Sequence, residues 1–312
     1  VRRLFGVNHT TPTVAYLRVV VTATCPLKCT YCHAEGDPPD GVGGLPLPEL
    51  IALLRVAIDQ GVRKIKLLGG EPLARRDLPE LIRAVARPDV DLSVITSGAV
   101  PVERLQACFA AGLSRANLSI HGWTEEAFAA RARAPGRYAT RAANIAWLLE
   151  QGRFLKLNYV WRGPEDDADL AALLAWCAGK PVVVGLLDEL SLGLGAKPLL
   201  DALERLRGPW TEARPEPDPH SLPTLRVSWA DGLEVEVKDH RLGDVAPWKA
   251  CATCPVRAQC GEGVHAIRLT HTGSLRPCMD RPDLAIDLRA PLRSGADTAR
   301  QVWAGFLEAA CA

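Results

Sequence analysis

An alternation running through the first two-thirds of the chain constrains its fold most strongly. Apolar, β-prone runs occur at Leu17–Thr24, Lys64–Leu68, Leu92–Thr96, Arg115–Ile120, Leu155–Trp161 and Val182–Leu187. Between them lie helix-patterned stretches at Leu47–Gln60, Leu78–Ala86, Val102–Ala111, Tyr138–Glu150 and Asp166–Cys177. Gly61, Gly112, Gly152 and Gly179 follow four of these stretches, where a chain commonly leaves a helix. Strands covered on both faces read as nearly unbroken apolar runs, and parallel strands need a crossover helix. The pattern predicts an α/β fold, a partial (β/α)6 barrel of the TIM type that stops two units short of closure. With 312 residues, 48% of them hydrophobic, the chain can build that core and an appendage.

After Leu190 the alternation ends. Residues 191–223 are rich in Gly and Pro and read as a connector. A hairpin follows, Leu225–Trp229 and Leu233–Val237, turning through Ala230-Asp231-Gly232. A second, Ala266–Thr270 and Ser274–Arg276, turns at Thr272-Gly273, and a helix over Thr298–Ala310 closes the chain. The expected division is a barrel at 1–190, a connector at 191–223 and a small extension of hairpins and a helix at 224–312.

With 37 basic and 36 acidic residues, the net charge of +1 gives no long-range attraction to nucleic acid or an anionic membrane. No apolar run approaches the roughly 18 residues of a membrane span. The first residues carry no apolar core of a secretory signal. The expectation is a cytoplasmic protein with neither nucleic acid nor membrane as partner.

Of ten cysteines, seven fall in two tight groups: Cys25, Cys29, Cys32, and Cys251, Cys254, Cys260, Cys278. Such spacing, without an export signal, points to metal and not to disulfides. Cys108, Cys177 and Cys311 lie in Ala/Leu-rich helical stretches and read as small buried hydrophobes. The first group, Cys25-Pro-Leu-Lys-Cys29-Thr-Tyr-Cys32, directly follows the first strand. Three thiolates on one short loop can hold three irons of a [4Fe–4S] cube and leave the fourth open. A zinc site completed by His33 fits the same spacing.

This C-x3-C-x2-C motif, with Tyr31 inside it, resembles the signature of the radical S-adenosylmethionine (SAM) superfamily. Further motifs of that family follow at successive strands: Gly69-Gly70-Glu71-Pro72, Thr96-Ser97-Gly98, Asn117 to Gly122, and Asn158. The resemblance covers about residues 15–190 and implies a role for each. Cys25, Cys29 and Cys32 would ligate the cluster, and SAM would chelate the open iron. Gly69, Gly70 and Glu71 would hold the methionine ammonium, Glu71 through a charge-assisted contact. Thr96 and Ser97 would meet the ribose or carboxylate, and Tyr31 the adenine, mainly through its backbone. Ser119, His121 and Asn158 are further candidate contacts, although His121 departs from the acidic or Asn-like residue common there. For any one of these polar residues alone, a turn, cap or strand-end hydrogen bond is an equal reading. The resemblance also implies reductive cleavage of SAM to a 5′-deoxyadenosyl radical, fed by a flavodoxin- or ferredoxin-type electron donor.

The second group, with its context Arg268-Leu-Thr-His-Thr-Gly-Ser-Leu-Arg-Pro-Cys278, resembles the C-terminal extension of the superfamily members that cyclise GTP for molybdenum cofactor. More broadly it is similar to the twitch and SPASM modules, which implies a second, auxiliary [4Fe–4S] cluster; a four-thiolate zinc knuckle has compatible spacing. The chain departs from the GTP cyclases in three places. It has four cysteines for three, Gly-Glu-Gly-Val-His for an arginine-rich loop, and Ala-Ala-Cys-Ala for a Gly-Gly end. Those departures favour a twitch-type module over the GTP cyclases. The 24 residues before Cys25, too few for a leader-binding domain, and an Ala/Arg/Leu/Pro-rich, Lys-poor composition favour a small-molecule substrate and an antibiotic-tailoring enzyme, similar to the aminoglycoside (neomycin) epimerase, that epimerises a C–H centre. Asp166, Asp167, Asp188 and Glu189 are candidate amine-binding charges, with solvated loop charges the plainer reading. Cys251 is a candidate hydrogen donor, with Cys254, Cys260 and Cys278 as ligands; four ligands is the equal alternative. Dehydrogenation or cross-linking of a peptide or sugar is the second enzymatic reading, and an iron–sulfur scaffold or redox sensor the non-enzymatic one.

Overall fold

The computed structural model describes residues 14–36, 44–189, 191–216, 222–239, 242, 248–257, 260 and 266–311. The Gly-Glu-Gly-Val-His segment and most of the stretch from Asp244 to Ala250 lie outside these residues.

Six parallel strands stand side by side in chain order: β1 (Tyr16–Thr22), β2 (Lys64–Gly69), β3 (Asp91–Thr96), β4 (Arg115–Ile120), β5 (Leu155–Trp161) and β6 (Val182–Asp188). The crossovers carry α1 (Leu47–Asp59), α2 (Leu78–Val85), α3 (Val102–Ala110), α4 (Glu125–Ala132), α5 (Tyr138–Glu150) and α6 (Asp167–Cys177). Every strand and helix read from the alternation is present, with its ends shifted by two residues at most. Within the barrel one helix, α4, was not read. It is short and carries little apolar periodicity, and its start depends on a cap: Thr124 Oγ1 accepts from Ala127 N at 3.2 Å.

Side chains alternate across each strand and sort the molecule into layers. Leu17 and Val19, Ile65 and Leu67, Leu92 and Val94, Ala116 and Leu118, Leu155 and Leu157 are buried in one core with the helices. Their neighbours in sequence, among them Arg18, Lys66, Asn117 and Lys156, occupy the opposite face and line the concave lumen.

The rest of the chain builds onto both edges of this sheet. The stretch read as a connector holds α7 (Ala196–Arg207) and β7 (Glu212–Glu216). Its Gly and Pro look irregular in sequence, but Pro198 sits in the first helical turn, where no backbone donor is needed, between flanking Gly195 and Gly208. The hairpin of β8 (Thr224–Ser228) and β9 (Glu234–Lys238) joins the barrel through β9, parallel to β6. At the other edge β10 (Ile267–Leu269) pairs parallel to β1, followed by β11 (Ser274–Arg276) and β12 (Ile286–Asp287). The result is one twelve-stranded sheet, β12-β11-β10-β1-β2-β3-β4-β5-β6-β9-β8-β7. Finally α8 (Arg289–Ser294) and α9 (Ala296–Ala310) pack back on α1. Among the described residues no helix is long and apolar enough to cross a membrane.

Trp303 on α9 is fully buried, so it ties the end of the chain to the barrel. Trp303→Ala should lower unfolding free energy by about 3–5 kcal/mol, as large-to-small core changes do. Urea denaturation measures this, and a loss under about 1 kcal/mol would mean that α9 contributes little to the core.

Candidate functional site

The three clustered cysteines follow β1 on a loop held by its own backbone. Lys28 N donates to Ala132 O and Thr30 N to Arg131 O, both at 3.0 Å, so the loop caps the free carbonyls of α4. Leu27 packs with Ala99, Phe128, Ala132 and Ala134 in a small apolar cluster, with Cys29 against it. Cys25 and Cys32 are exposed and Cys29 is half-buried. Burial, and then the nearby Cys25 and Cys32 thiols, push Cys29 up to about 12; burial pushes Cys25 to about 11. The three sulfurs thus share one electrostatic neighbourhood. Among the described residues, no three His, Cys, Asp or Glu side chains converge closely enough to hold a single metal ion.

The loop after β2 clamps the base of this segment. Gly70 N donates to Thr22 O and Glu71 N to Thr24 O, both at 2.8 Å. A side chain at Gly70 would meet the backbone oxygens of Ala23, at 2.6 Å, and Thr24; only glycine permits so close an approach. Glu71 is fully buried. Its Oε1 accepts from Leu73 N (3.1 Å) and Thr96 Oγ1 (2.7 Å), and its Oε2 from Ser97 N (2.8 Å) and Ser97 Oγ (2.5 Å). Burial raises the Glu71 pKa in spite of these four donors. Thr96 Oγ1 and Ser97 Oγ in turn accept from Gly98 N (3.0 Å) and Ala99 N (3.2 Å). Cys25 senses the Glu71 charge, which places the carboxylate near the cysteine loop.

Tyr31 and His121 meet: Tyr31 Oη and His121 Nδ1 share a hydrogen bond of 2.8 Å. Burial and then the Arg131 and Arg141 charges push His121 down to about 4, so the imidazole is neutral near pH 7. Deeper in the lumen Ser119 on β4 stands in register with Asn158 on β5, which pairs in turn with Gly185 on β6. A side chain at Gly185 would fall 2.6 Å from Asn158 Oδ1. Cysteine loop, Gly69–Glu71, Thr96–Ser97 and His121 therefore gather at the C-terminal ends of β1 to β4, the end where barrels of this kind carry their sites.

A family model described as the radical SAM superfamily matches residues 19–177, just over half the chain. The chain belongs to the radical SAM superfamily. It is 33% identical to a GTP 3′,8-cyclase of Pelotomaculum thermopropionicum, across 95% of this chain and 90% of that protein. A GTP 3′,8-cyclase of Erythrobacter litoralis is 31% identical across 90% of this chain and 83% of its own length. Among solved structures, Streptococcus suis SuiB bound to S-adenosylmethionine superposes with a TM-score of 0.58 at 14% identity. The match covers 85% of this chain and 60% of that one, a likeness of fold. Membership makes this a radical SAM enzyme and implies SAM and a [4Fe–4S] cluster. The donor set fits that cofactor: three soft sulfurs on one loop, two of them open to solvent.

Two residues that pack around this site, Arg131 and Arg162, were not singled out in the sequence. Arg131 is buried, stacks on Tyr31 and Tyr159 with its guanidinium 5.2 and 5.0 Å from the ring centres, donates to Tyr159 Oη (2.9 Å) and lies 3.7 Å from Asp166. Arg162 also pairs with Asp166 at 2.7 Å. Asp166 and Asp167, read as candidate amine sites, are instead engaged, Asp167 by Trp161 Nε1 and Arg205.

The second group of cysteines lies around a turn at 249–253. Cys254 N donates to Cys251 O and Cys260 N to Arg257 O, both at 3.3 Å. Arg281 staples the segment after Cys278 to this turn, donating to Ala250 O (2.5 Å) and Thr253 Oγ1 (3.3 Å). Burial raises Cys251, with Cys260 and Cys254 adding to it. Cys108 and Cys177 are core residues, as read from sequence. Cys311 is not enclosed: half-buried at the end of α9, it feels Cys251 and Cys278, and burial first and these two next push it to about 12.

Glu71→Gln tests the clamp. It replaces one acceptor oxygen by an amide donor facing donors, and an unsatisfied buried group costs about 1–3 kcal/mol. The variant should be less stable by that amount in urea and should take up less iron on anaerobic reconstitution. Full stability and iron content would show that the carboxylate is dispensable to the loop.

Proposed function

We propose that this radical SAM enzyme acts on a purine nucleoside triphosphate, in a GTP 3′,8-cyclase type of reaction. The observation that carries this reading is Lys66. Its ammonium lies in the lumen with no hydrogen bond or ion pair among the described residues; the nearest ring, Tyr16, is 6.0 Å away. Burial and then Arg18, Arg115, Lys64 and Lys156 hold its pKa well below the ordinary lysine value. Other cations of this lumen have carboxylates: Arg115 pairs with Asp91, Lys156 with Glu236, and Arg18 with Glu35 at 2.8 Å. Burial, Lys156, Lys66 and Lys64 bring Lys238 down to about 7, with Glu236 opposing. A polyanion relieves such a cluster; an aminoglycoside, with several ammonium groups, adds to its repulsion. The charge of the lumen therefore favours a triphosphate over the amine-bearing sugar expected from the sequence. The named function of the relatives favours it independently.

Lys66 precedes Gly69 by three residues, about 10 Å along the strand at ~3.3 Å per residue. That separation suits a nucleotide with its phosphates at Lys66 and its sugar toward the cysteine loop. Asn117 Oδ1, buried and with no hydrogen-bond partner among the described residues, supplies a further acceptor in the lumen. In this reading Cys25, Cys29 and Cys32 hold the cluster, and the bound cofactors supply the radical that removes hydrogen from the substrate. Glu71 positions the Gly69–Gly70 backbone toward the methionine end of SAM, because its own lone pairs are engaged by Leu73, Thr96 and Ser97. Neutral His121, joined to Tyr31, offers a ring nitrogen without adding charge. Cys251, Cys254, Cys260 and Cys278, stapled by Arg281, form the ligand set for an auxiliary cluster in a twitch-like module.

Calorimetry under anaerobic conditions tests the reading. GTP should bind, and Lys66→Met should weaken it at least about tenfold, the equivalent of ~1.4 kcal/mol. Equal affinity in the variant, or tighter binding of neomycin than of GTP, would contradict it. A second expectation follows from the lysines. An anion favours their charged forms, so the pKa of Lys238 rises from about 7 on binding and the protein takes up protons at pH 8. The enthalpy should then vary with the ionisation heat of the buffer, less at pH 6, where Lys238 is already charged. Buffer-independent enthalpy at pH 8 would count against the lysine site.

A further inference from the structure

Arg115, Asn117 and Ser119 are the residues that β4 turns to the lumen, while Ala116, Leu118 and Ile120 go to the core under the helices. Register across the sheet gives each of the three a level. Arg115 pairs with Ser93 and Ser93 with Lys66, so Arg115 stands level with that lysine. Asn117 is level with Ile95 on β3 and Lys156 on β5, and Ser119 is level with Asn158 on β5. Asn117 therefore lies about 7 Å along the strand from the level of Lys66, two residues at ~3.3 Å each, and as far again from Ser119.

The Asn117 side chain is the one that its surroundings leave unsatisfied at that level. The residue is 4% exposed, and its Oδ1 is buried with no hydrogen-bond partner among the described residues. Polar neighbours in the sheet are committed elsewhere: Lys156 pairs with Glu236, and Ser93 Oγ donates to Ile65 O at 3.4 Å. Ile95 has no polar atom in its side chain. An unpaired buried acceptor costs stability, and asparagine is disfavoured in strands. A valine or leucine would serve this strand better, so the amide points to a ligand.

We infer that Asn117 is a specificity-determining residue that accepts a hydrogen bond from the 2′,3′-diol of the substrate ribose. The inference rests on the proposed nucleotide substrate. With the phosphates at Lys66 and the cysteine loop at the strand ends, the sugar stands at the level between them. The two hydroxyls of a ribose are cis, and the 3′ hydrogen lies on the opposite face of the ring. A 3′ hydrogen turned to the cysteine loop therefore turns both hydroxyls back toward Asn117. A site built to pair with a hydroxyl rejects the analogue lacking it, because its own polar group is then left unpaired.

The test is anaerobic calorimetry of the reconstituted enzyme with GTP, 2′-deoxy-GTP and 3′-deoxy-GTP. Wild type should bind at least one deoxy analogue at least about tenfold more weakly than GTP, and which analogue it is names the hydroxyl. Asn117→Leu should bind GTP about as weakly as wild type binds that analogue, and should no longer distinguish the two. Its affinity for SAM and its urea midpoint should not fall. Wild-type affinities for GTP and both analogues within about twofold of one another overturn the inference. So does an Asn117→Leu enzyme that keeps the wild-type discrimination, or one that loses affinity for SAM and all three nucleotides alike together with stability. Asn117→Ala repeats the series should leucine unsettle the fold, and the wild-type comparison needs no variant. Failure of wild type to bind GTP at all would overturn the nucleotide reading itself, and this inference with it.

Discussion

The fully buried Glu71 carboxylate is the point from which the site is organised. Removing a carboxylate from water costs several kcal/mol, and here the compensation comes from four neutral donors and not from a paired cation. Those donors belong to the turn after β2 and the turn after β3, so the charge binds two strand ends to each other. The adjoining backbone bonds, Gly70 N to Thr22 O and Glu71 N to Thr24 O, carry the link on to the strand that presents the cysteines. Gly70 is needed because the two chains approach too closely for a Cβ. Three loops thus share one frame, and the cysteine loop inherits its position from it.

The C-terminal third completes the lumen at the two edges of the sheet. Parallel pairing of β10 with β1 puts Arg268 in register with Arg18, and Glu35, from the end of the cysteine loop, bridges both. Burial works against the Glu35 charge, but the two arginines outweigh it and hold its pKa far below the usual carboxylate range. At the far edge β9 brings Glu236 to Lys156. The extension is therefore a wall of the cavity and also the carrier of the second cysteine group. Lys66 is left within that cavity among cations, the imbalance on which the proposed anionic substrate rests.

Much of the barrel was legible because strands covered by helices must be apolar on one face, and Arg115–Ile120 and Leu155–Trp161 read so to the residue. The cysteine loop was legible because three thiols in eight residues have few other uses. The lumen charge was not. Lys64, Lys66, Arg115 and Lys156 alternate with apolar residues, and in sequence such alternation also describes a strand with one face in water. Only the curvature of the sheet makes three separate strands, β2, β4 and β5, share one enclosed space. The number of C-terminal cysteines says nothing about the charge that a substrate meets in the lumen. Helix α7 was hidden by Pro198, a breaker in mid-helix but compatible with a first turn. Cys311 read as core because its Ala/Leu-rich surroundings do not reveal that the end of α9 reaches Cys251 and Cys278.

In the proposed function, the radical made from SAM is aimed at the sugar of a nucleotide held by the lumen cations. Mass spectrometry of 5′-deoxyadenosine after turnover with dithionite, SAM and GTP deuterated at the 3′ carbon addresses it most directly. The expected result is 5′-deoxyadenosine carrying one deuterium, lost when unlabelled GTP is used. No deuterium in the product, with transfer instead from a deuterated aminoglycoside, would contradict the assignment of substrate.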